Sequence, residues 1–142
     1  MKRIGLLFDL DGTLWEVTQV TYESANEVAR KNNVNKVEKS VICKAFGCTK
    51  LECAKMYFPD VDIKVALSMM DKISEIKIAK LNNVGGNLYP DLKDSIVKLS
   101  KTYDLFIVSN TSKKEYIEAF LNTSGLNKYF KDYMASGSLR ND

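Results

Sequence analysis

Residues 4–14 read Ile-Gly-Leu-Leu-Phe-Asp-Leu-Asp-Gly-Thr-Leu, a short apolar run that ends in two acids one residue apart and then a glycine. The apolar run is typical of a buried strand. In an α/β protein, ligands bind beyond the carboxyl ends of the strands. Carboxylates placed there are costly unless they bind a metal or take part in chemistry. Asp9 and Asp11 would share one side of an extended backbone, and Gly12 would let the chain turn sharply after them.

The same stretch could also be an Asp-Gly turn that closes a β-hairpin. A hairpin needs a second alternating strand directly after the turn. The residues that follow, from Trp15 to Gln19, lead instead into a helical pattern. We therefore favour a strand that ends in functional carboxylates.

Composition narrows the class of protein. The chain has 142 residues, of which 45% are hydrophobic and 27% are charged, and its net charge is +3. This length fits one domain, or one domain with a small insertion. The lysines are scattered rather than grouped with aromatic residues, so we expect no nucleic-acid partner. No stretch has the length of a membrane span and no signal peptide is apparent, so we expect a cytoplasmic protein without a membrane partner.

The chain contains no histidine. Ser-His-Asp triads, histidine acid–base catalysis and histidine metal ligands are therefore excluded. The cysteines, Cys43, Cys48 and Cys53, are odd in number and form no C-x-x-C pair. We expect reduced structural thiols rather than a disulfide framework or a zinc site.

The pattern of apolar residues divides the chain into two regions. From about Glu16 to Leu88 the spacing predicts only helices, including one opened by a capping box at 49–52. The clearest break is at 82–87. Beyond it come a helix at 91–101, an apolar strand at 105–108, a second capping box with its helix at 112–125, and a short strand at 133–135. This β–α–β order predicts a parallel sheet.

Two segments carry a family resemblance. The stretch around Asp9 and Asp11 resembles motif I of the haloacid dehalogenase-like (HAD) superfamily, Asp-x-Asp-Gly-Thr-Leu after a hydrophobic strand, and meets every position of it. Residues 105–110, Leu-Phe-Ile-Val-Ser-Asn, resemble motif II, a hydrophobic strand that ends in Ser or Thr. Taken alone, Ser109-Asn110-Thr111 is more simply a loop and helix cap, but beside motif I we favour motif II.

The resemblance implies the fold and its division. We expect an α/β protein with a Rossmann-like parallel sheet, incomplete at its C-terminal end, and an inserted α-helical cap. Residues 1–15 and 88–142 would form the core, and residues 16–87 would form the cap.

The resemblance also implies the chemistry, since the family consists mostly of Mg²⁺-dependent phosphatases. Asp9 would be the nucleophile that forms an aspartyl-phosphate, and Asp11 would be the acid and base. The Mg²⁺ ligands would be the Asp9 carboxylate and the Asp11 backbone carbonyl. Backbone N–H groups and side chains would bind the phosphate, namely those of Leu10, Gly12, Ser109 and Asn110. The family's dehalogenases lack the second acid, so Asp11 favours phosphate esters over dehalogenation.

The cap would close over the site and set the specificity for a small phosphorylated metabolite. In the turn at 47–50, Lys50 would contact an anionic leaving group. A solvated lysine in a first helical turn explains Lys50 about as well. Trp15 and Tyr22 would line the entrance or pack the core against the cap, and we favour packing.

Two parts of the family pattern have no match, the motif III lysine and the motif IV acidic pair, because the chain ends soon after the strand at 133–135. We expect an amino-terminal portion of a longer protein, with weak Mg²⁺ affinity and little phosphatase activity of its own. The first strand would then have an unpaired edge, which would allow self-association. The alternatives are a module without catalysis that binds a ligand or partner, and a phosphomutase of the same fold.

Overall fold

The computed structural model describes residues 2–139. The elements follow one another as β1 (Gly5–Phe8), β2 (Trp15–Glu16), α1 (Thr18–Lys31), α2 (Lys39–Ala45), α3 (Lys50–Tyr57), α4 (Ile63–Val84), β3 (Asn87–Leu88), α5 (Leu92–Thr102), β4 (Asp104–Ser109), α6 (Lys114–Ser124) and β5 (Phe130–Ala135). Two 3₁₀ turns, Asn127–Tyr129 and Ser136–Leu139, flank β5. Residues 140–142, part of the segment in which the family places the motif III lysine, lie outside the described residues.

The core is a three-stranded parallel sheet in the order β1-β4-β5. Helix α6 connects β4 to β5, so the predicted parallel β–α–β arrangement is confirmed. The predicted strands at 105–108 and 133–135 lie within β4 and β5, and β5 begins three residues earlier, at Phe130. Because parallel strands align their carboxyl ends, the residues after β1 and β4 meet at one edge of the sheet.

The two faces of the sheet differ in burial. Residues in register point to the same face, and the register aligns Leu7 with Phe106, and Val108 with Met134. On this face Leu7 is 72% exposed, and Val108 and Met134 are 41% and 45% exposed. The alternate residues of β4, Leu105, Ile107 and Ser109, are buried. One face therefore carries the core and the other is largely open.

Helices α1 to α4 form a helical insertion between β1 and the rest of the sheet. The insertion contains its own cluster of buried side chains, which includes Ile42, Met69 and Ile73. A second cluster, around Trp15, Phe120 and Ile107, lies against the sheet. The boundary at 16–87 between cap and core stays a prediction. None of the helices in the described part of the chain is both long and apolar enough to cross a bilayer.

The prediction that Glu16 to Leu88 is entirely helical is wrong at both ends. Trp15–Glu16 pairs in antiparallel fashion with Asn87–Leu88 where the chain enters and leaves the insertion. Strands of two residues carry no periodicity that a sequence pattern could reveal. Helix α4 also continues to Val84, inside the predicted break, and ends at Gly85, whose φ of 73° favours glycine.

Only one of the two predicted capping boxes forms. At Thr49 the side chain accepts from the Glu52 backbone N–H, and the Glu52 carboxylate accepts from the Thr49 N–H. Helix α6 instead begins at Lys114 with Lys113 as its N-cap, so the box at Ser112 was wrong. The backbone of Ser112 packs directly against Gly137, with no room for a Cβ at that position.

Candidate active site

The loop after β1 turns back on itself and presents two carboxylates. Leu10 is buried beneath the loop, and its carbonyl accepts from the Leu14 N–H at 2.9 Å. Gly12 has a φ of 74°, and its N–H donates to the Trp15 carbonyl at 3.0 Å. Asp9 is exposed at the end of β1. The Gly12 N–H, which is predicted to bind phosphate, therefore already donates to the Trp15 carbonyl.

The Asp11 carboxylate is held by two buried aromatic side chains. Its Oδ1 accepts from the Trp15 indole Nε1 at 2.8 Å and from the Tyr116 hydroxyl at 2.6 Å. Burial, and then the negative charge of Asp11, raise the pKa of the Tyr116 phenol well above its ordinary value. Tyr116 therefore stays protonated and donates to Asp11 over the whole range in which proteins are usually studied.

Sequence reasoning missed Tyr116. It lies on α6 one turn before Phe120, and both are fully buried against Trp15. The signal that would have found it is a phenol at a buried position of the helix that follows the second motif, since a buried hydroxyl needs a partner. The sequence favours packing for Trp15, which is completely buried, but nothing in the sequence indicates its hydrogen bond to Asp11.

Ser109 and Asn110 lie at the carboxyl end of β4. Ser109 is buried, and its Oγ accepts from the Thr111 backbone N–H at 3.3 Å. The Asn110 side chain donates through Nδ2 to the Gly47 carbonyl at 2.8 Å. Because Gly47 lies between α2 and α3, this hydrogen bond joins the sheet edge to the helical insertion.

A cavity of about 160 Å³ lies between the sheet edge and the helical insertion. It brings together five of the predicted side chains, and its wall includes Asp9, Asp11, Lys50, Ser109 and Asn110. This volume is below the usual range of about 300–1,000 Å³ for sites that take drug-sized ligands. The cavity therefore suits a small molecule.

Lys50 lines the cavity, and its charge is balanced by an acid. Its ammonium lies 2.6 Å from the Asp71 carboxylate of α4, and both side chains are partly exposed. A second cavity lysine, Lys77 of α4, was not singled out from the sequence. Its Nζ lies 4.4 Å from the centroid of the Tyr116 ring, a cation–π contact.

The cysteines are all free thiols, as expected from the sequence. Cys53 lines the cavity, and burial raises the pKa of its thiol to about 11. Because the thiolate is the reactive form, Cys53 is a packing residue at neutral pH.

The carboxylates fit a hard metal ion by the chemistry of their oxygen atoms. Mg²⁺ in proteins is often held by one or two carboxylates, with water and substrate phosphate as further ligands. Asp9 offers such an oxygen to the cavity, while Oδ1 of Asp11 is occupied by Trp15 and Tyr116. Within residues 2–139, no three His, Cys, Asp or Glu side chains group as a metal site.

Fold and site together define a Rossmann-like α/β protein with a carboxylate pair at the carboxyl edge of its sheet, beneath a helical insertion. The family model of the haloacid dehalogenase-like hydrolases matches residues 6–141. The chain belongs to this family. The sequence matches no curated protein significantly.

Solved structures share the fold at low sequence identity. A predicted phosphoglycolate phosphatase from Haemophilus somnus has a TM-score of 0.80 at 17% identity, over 98% of this chain and 64% of its own. A predicted phosphatase from Clostridium acetobutylicum has a TM-score of 0.75 at 24% identity, over 94% of this chain and 61% of its own. A HAD hydrolase from Bacillus subtilis, described as bound to magnesium, has a TM-score of 0.65 at 21% identity. The match covers 97% of this chain and 67% of the other. This chain thus spans less than two thirds of the length of the first two of these proteins.

Proposed function

We propose that this site hydrolyses a phosphate monoester of a small metabolite through an aspartyl-phosphate on Asp9. The observation that carries the proposal is that Asp9, Asp11 and Ser109 line one small cavity at the carboxyl edge of the sheet. An exposed carboxylate at that place is a suitable nucleophile. A second carboxylate two residues later lines the same cavity and can serve in general acid–base catalysis.

Each residue then has a separate task. A carboxylate oxygen of Asp9 forms a bond to phosphorus as the bond to the leaving alkoxide breaks, and the alkoxide takes a proton from Asp11. Water then attacks the phosphorus of the aspartyl-phosphate, Asp11 accepts a proton from that water, and the carboxylate of Asp9 is released. Because Oδ1 of Asp11 accepts both hydrogen bonds, Oδ2 is the oxygen assigned to the proton.

The remaining predicted residues orient the phosphoryl group. The side chains of Ser109 and Asn110 and the backbone N–H of Leu10 would donate to its oxygens as charge develops, and the Gly12 N–H would do so only on leaving the Trp15 carbonyl. Mg²⁺, which the Bacillus subtilis relative binds, would be held by Asp9 and the Asp11 carbonyl and would neutralise negative charge between carboxylate and phosphate. A cytoplasmic location belongs to the same proposal.

The nucleophile is tested with Asp9→Asn. We expect hydrolysis of p-nitrophenyl phosphate, measured with a phosphate-release assay sensitive enough for weak activity, to fall about a thousandfold or more, since a neutral amide is a poor nucleophile. Asp132→Asn is the matched control, because Asp132 lies exposed on β5 outside the cavity. Full activity in Asp9→Asn would show that the nucleophile is another group. Sustained release of inorganic phosphate over many turnovers argues against a phosphomutase, which returns the phosphoryl group to its substrate.

A further inference from the structure

The turn between α2 and α3 brings two cysteines together. Thr49 is the N-cap of α3, so Cys48 is the residue directly before the cap and Cys53 is the fourth residue of the helix. Side chains at these two positions often pack against each other at a helix N-terminus, an arrangement called a hydrophobic staple. Both members of this staple are thiols, and neither has a task in the hydrolysis described above.

The contacts of the two sulfur atoms place them side by side. Sγ of Cys48 lies 3.9 Å from the Lys44 carbonyl oxygen, and Sγ of Cys53 lies 3.5 Å from the Ala45 carbonyl oxygen, the next one along the chain. Sγ of Cys53 also lies 3.9 Å from the carbonyl oxygen of Cys48 itself. From these positions, rotation of the short side chains brings the sulfurs to the separation of about 2 Å that a disulfide requires.

The pair is open to small molecules from the cavity. Cys48 and Cys53 are both half-buried, and both line the cavity of about 160 Å³. The third cysteine, Cys43, is exposed on α2 and does not line this cavity. A small oxidant that enters the cavity therefore reaches two adjacent thiols, and Cys43 provides a solvent-exposed comparison.

The two thiols differ in readiness to react. Burial raises the pKa of the Cys53 thiol to about 11, so at neutral pH this thiol stays protonated, and the thiolate is the form that attacks an oxidant. Cys48 is therefore the thiol assigned to the first step. Cys53 packs as a protonated thiol until its neighbour is oxidised beside it.

We propose that Cys48 and Cys53 form a redox modification site, which a hydroperoxide converts into a disulfide within one chain. The Cys48 thiolate attacks the peroxide, whose O–O bond breaks, and Cys48 becomes a sulfenic acid while the alcohol or water leaves with a proton. The Cys53 sulfur then attacks the Cys48 sulfur, the S–S bond forms, and the S–O bond breaks. The hydroxide released takes the proton of Cys53 and leaves as water, so two electrons pass from the thiols to the peroxide.

The disulfide would act on the turn that joins the helical insertion to the sheet edge. It closes a ring over residues 48–53, which contains Lys50 and directly follows Gly47. The Gly47 carbonyl accepts the hydrogen bond from Asn110. Oxidation would thus restrict the one turn of the insertion that Asn110 contacts, and reduction would release it.

Peptide mapping of the whole chain tests the proposal. The protein is treated with hydrogen peroxide, remaining thiols are blocked with N-ethylmaleimide in denaturant, and the chain is cut with trypsin. Because trypsin cleaves after lysine, peptides 40–44, 45–50 and 51–55 carry one cysteine each. We expect peptides 45–50 and 51–55 to be joined by a bond that dithiothreitol cleaves. The thiols open to labelling should fall from three to one per chain.

Matched variants and isotope mixing make the result decisive. Cys43→Ser should keep the linked peptide pair, whereas Cys53→Ser should leave Cys48 as a sulfenic acid that dimedone traps. Oxidation of mixed ¹⁵N-labelled and unlabelled protein should give no pair of mixed isotope content, since the bond forms within one chain. Linked peptides that contain Cys43 as often as Cys53, abundant mixed pairs, or separate overoxidation of Cys48 and Cys53 would each overturn the proposal.

Discussion

At the residue scale, the chemistry of the site depends on how Asp11 is held. Trp15 and Tyr116 both donate to the same carboxylate oxygen, and both are completely or almost completely buried. Hydrogen bonds from two rigid, packed rings restrict the carboxylate to one orientation. A surface acid at this position would sample many orientations, so the two rings are positioning residues for proton transfer.

Tyr116→Phe tests this role. The change removes one donor and preserves the ring that packs against Trp15. We expect kcat for ethyl phosphate, whose alkoxide needs a proton, to fall about tenfold, while kcat for p-nitrophenyl phosphate, whose leaving group needs none, changes much less. Both values are measured under saturating substrate.

Tyr133→Phe is the matched control, because its hydroxyl donates to Glu118 at 2.7 Å, away from the cavity. Equal losses of activity towards both esters in Tyr116→Phe would point to a general structural defect and contradict the positioning role. Far-ultraviolet circular dichroism of both variants checks that they fold.

The side chains that follow the strands can be predicted from the sequence. The side chains that hold them in place by hydrogen bonds, such as Tyr116, cannot. Asp9, Asp11 and Ser109 are recognisable because each follows an apolar run, and a parallel sheet brings such strand ends to one edge. Tyr116 meets Asp11 across 105 positions of sequence, through the docking of α6 against the sheet. The direction of a helix face relative to a distant loop is a tertiary property that local patterns do not contain.

At the element scale, the short ribbon of β2 and β3 connects the helical insertion to the sheet. It places Trp15 in register with Leu88, next to Gly86 at the end of the insertion. A Cβ built on Gly86 would lie 2.5 Å from Cε3 of Trp15, so the backbone of Gly86 packs directly on the indole ring. The position of Trp15, and with it one hydrogen bond to Asp11, depends on this glycine.

Gly86→Ala should therefore destabilise the protein by about 1–3 kcal/mol, the usual cost of an added group in a well-packed core. The free energy of unfolding is measured by urea titration, with the fluorescence of Trp15, the sole tryptophan, as the probe. Asn87→Ala is the control, because Asn87 is the next residue and is exposed. Equal stability of the two variants would mean that the ribbon adapts and does not fix Trp15.

The elements themselves were predicted unevenly, for a physical reason. Long helices repeat their apolar pattern over several turns, which is why the helical character of most of the insertion was readable. The ribbon of β2 and β3 has only two residues in each strand. Its one fully buried residue, Trp15, packs against side chains that are distant in sequence. Just before α6, the backbone of Ser112 packs against Gly137, a contact between segments on either side of α6 and β5 that no local pattern contains.

At the scale of the whole molecule, the described sheet has an edge strand at each end, β1 and β5, and one open apolar face. Strand β1 lies at the end of the sheet and pairs only with β4 among the described strands. Its N–H and C=O groups on the other side are available to another strand. Leu7 projects from this edge strand onto the open face together with Val108 and Met134.

We propose that a second copy of the chain pairs with β1 in antiparallel fashion. An edge strand paired with itself across a two-fold axis makes a closed dimer, because each copy contributes the same surface. Such a dimer would continue the sheet through both molecules and bring the two Leu7 side chains near the axis. The apolar area around Leu7 would then be removed from water in both copies.

Leu7→Lys should weaken this association, because a lysine beside the axis places like charges together and removes apolar contact. Sedimentation velocity over a wide range of protein concentration should show a monomer–dimer equilibrium for the unaltered chain and a shift towards monomer for Leu7→Lys. Val84→Lys is the matched control, since Val84 is 80% exposed at the end of α4, away from β1. A chain that is monomeric at every concentration, or a dimer that Leu7→Lys and Val84→Lys affect equally, would contradict pairing through β1. A dimer lost only in Leu7→Lys would locate the contact on the edge strand that carries Asp9.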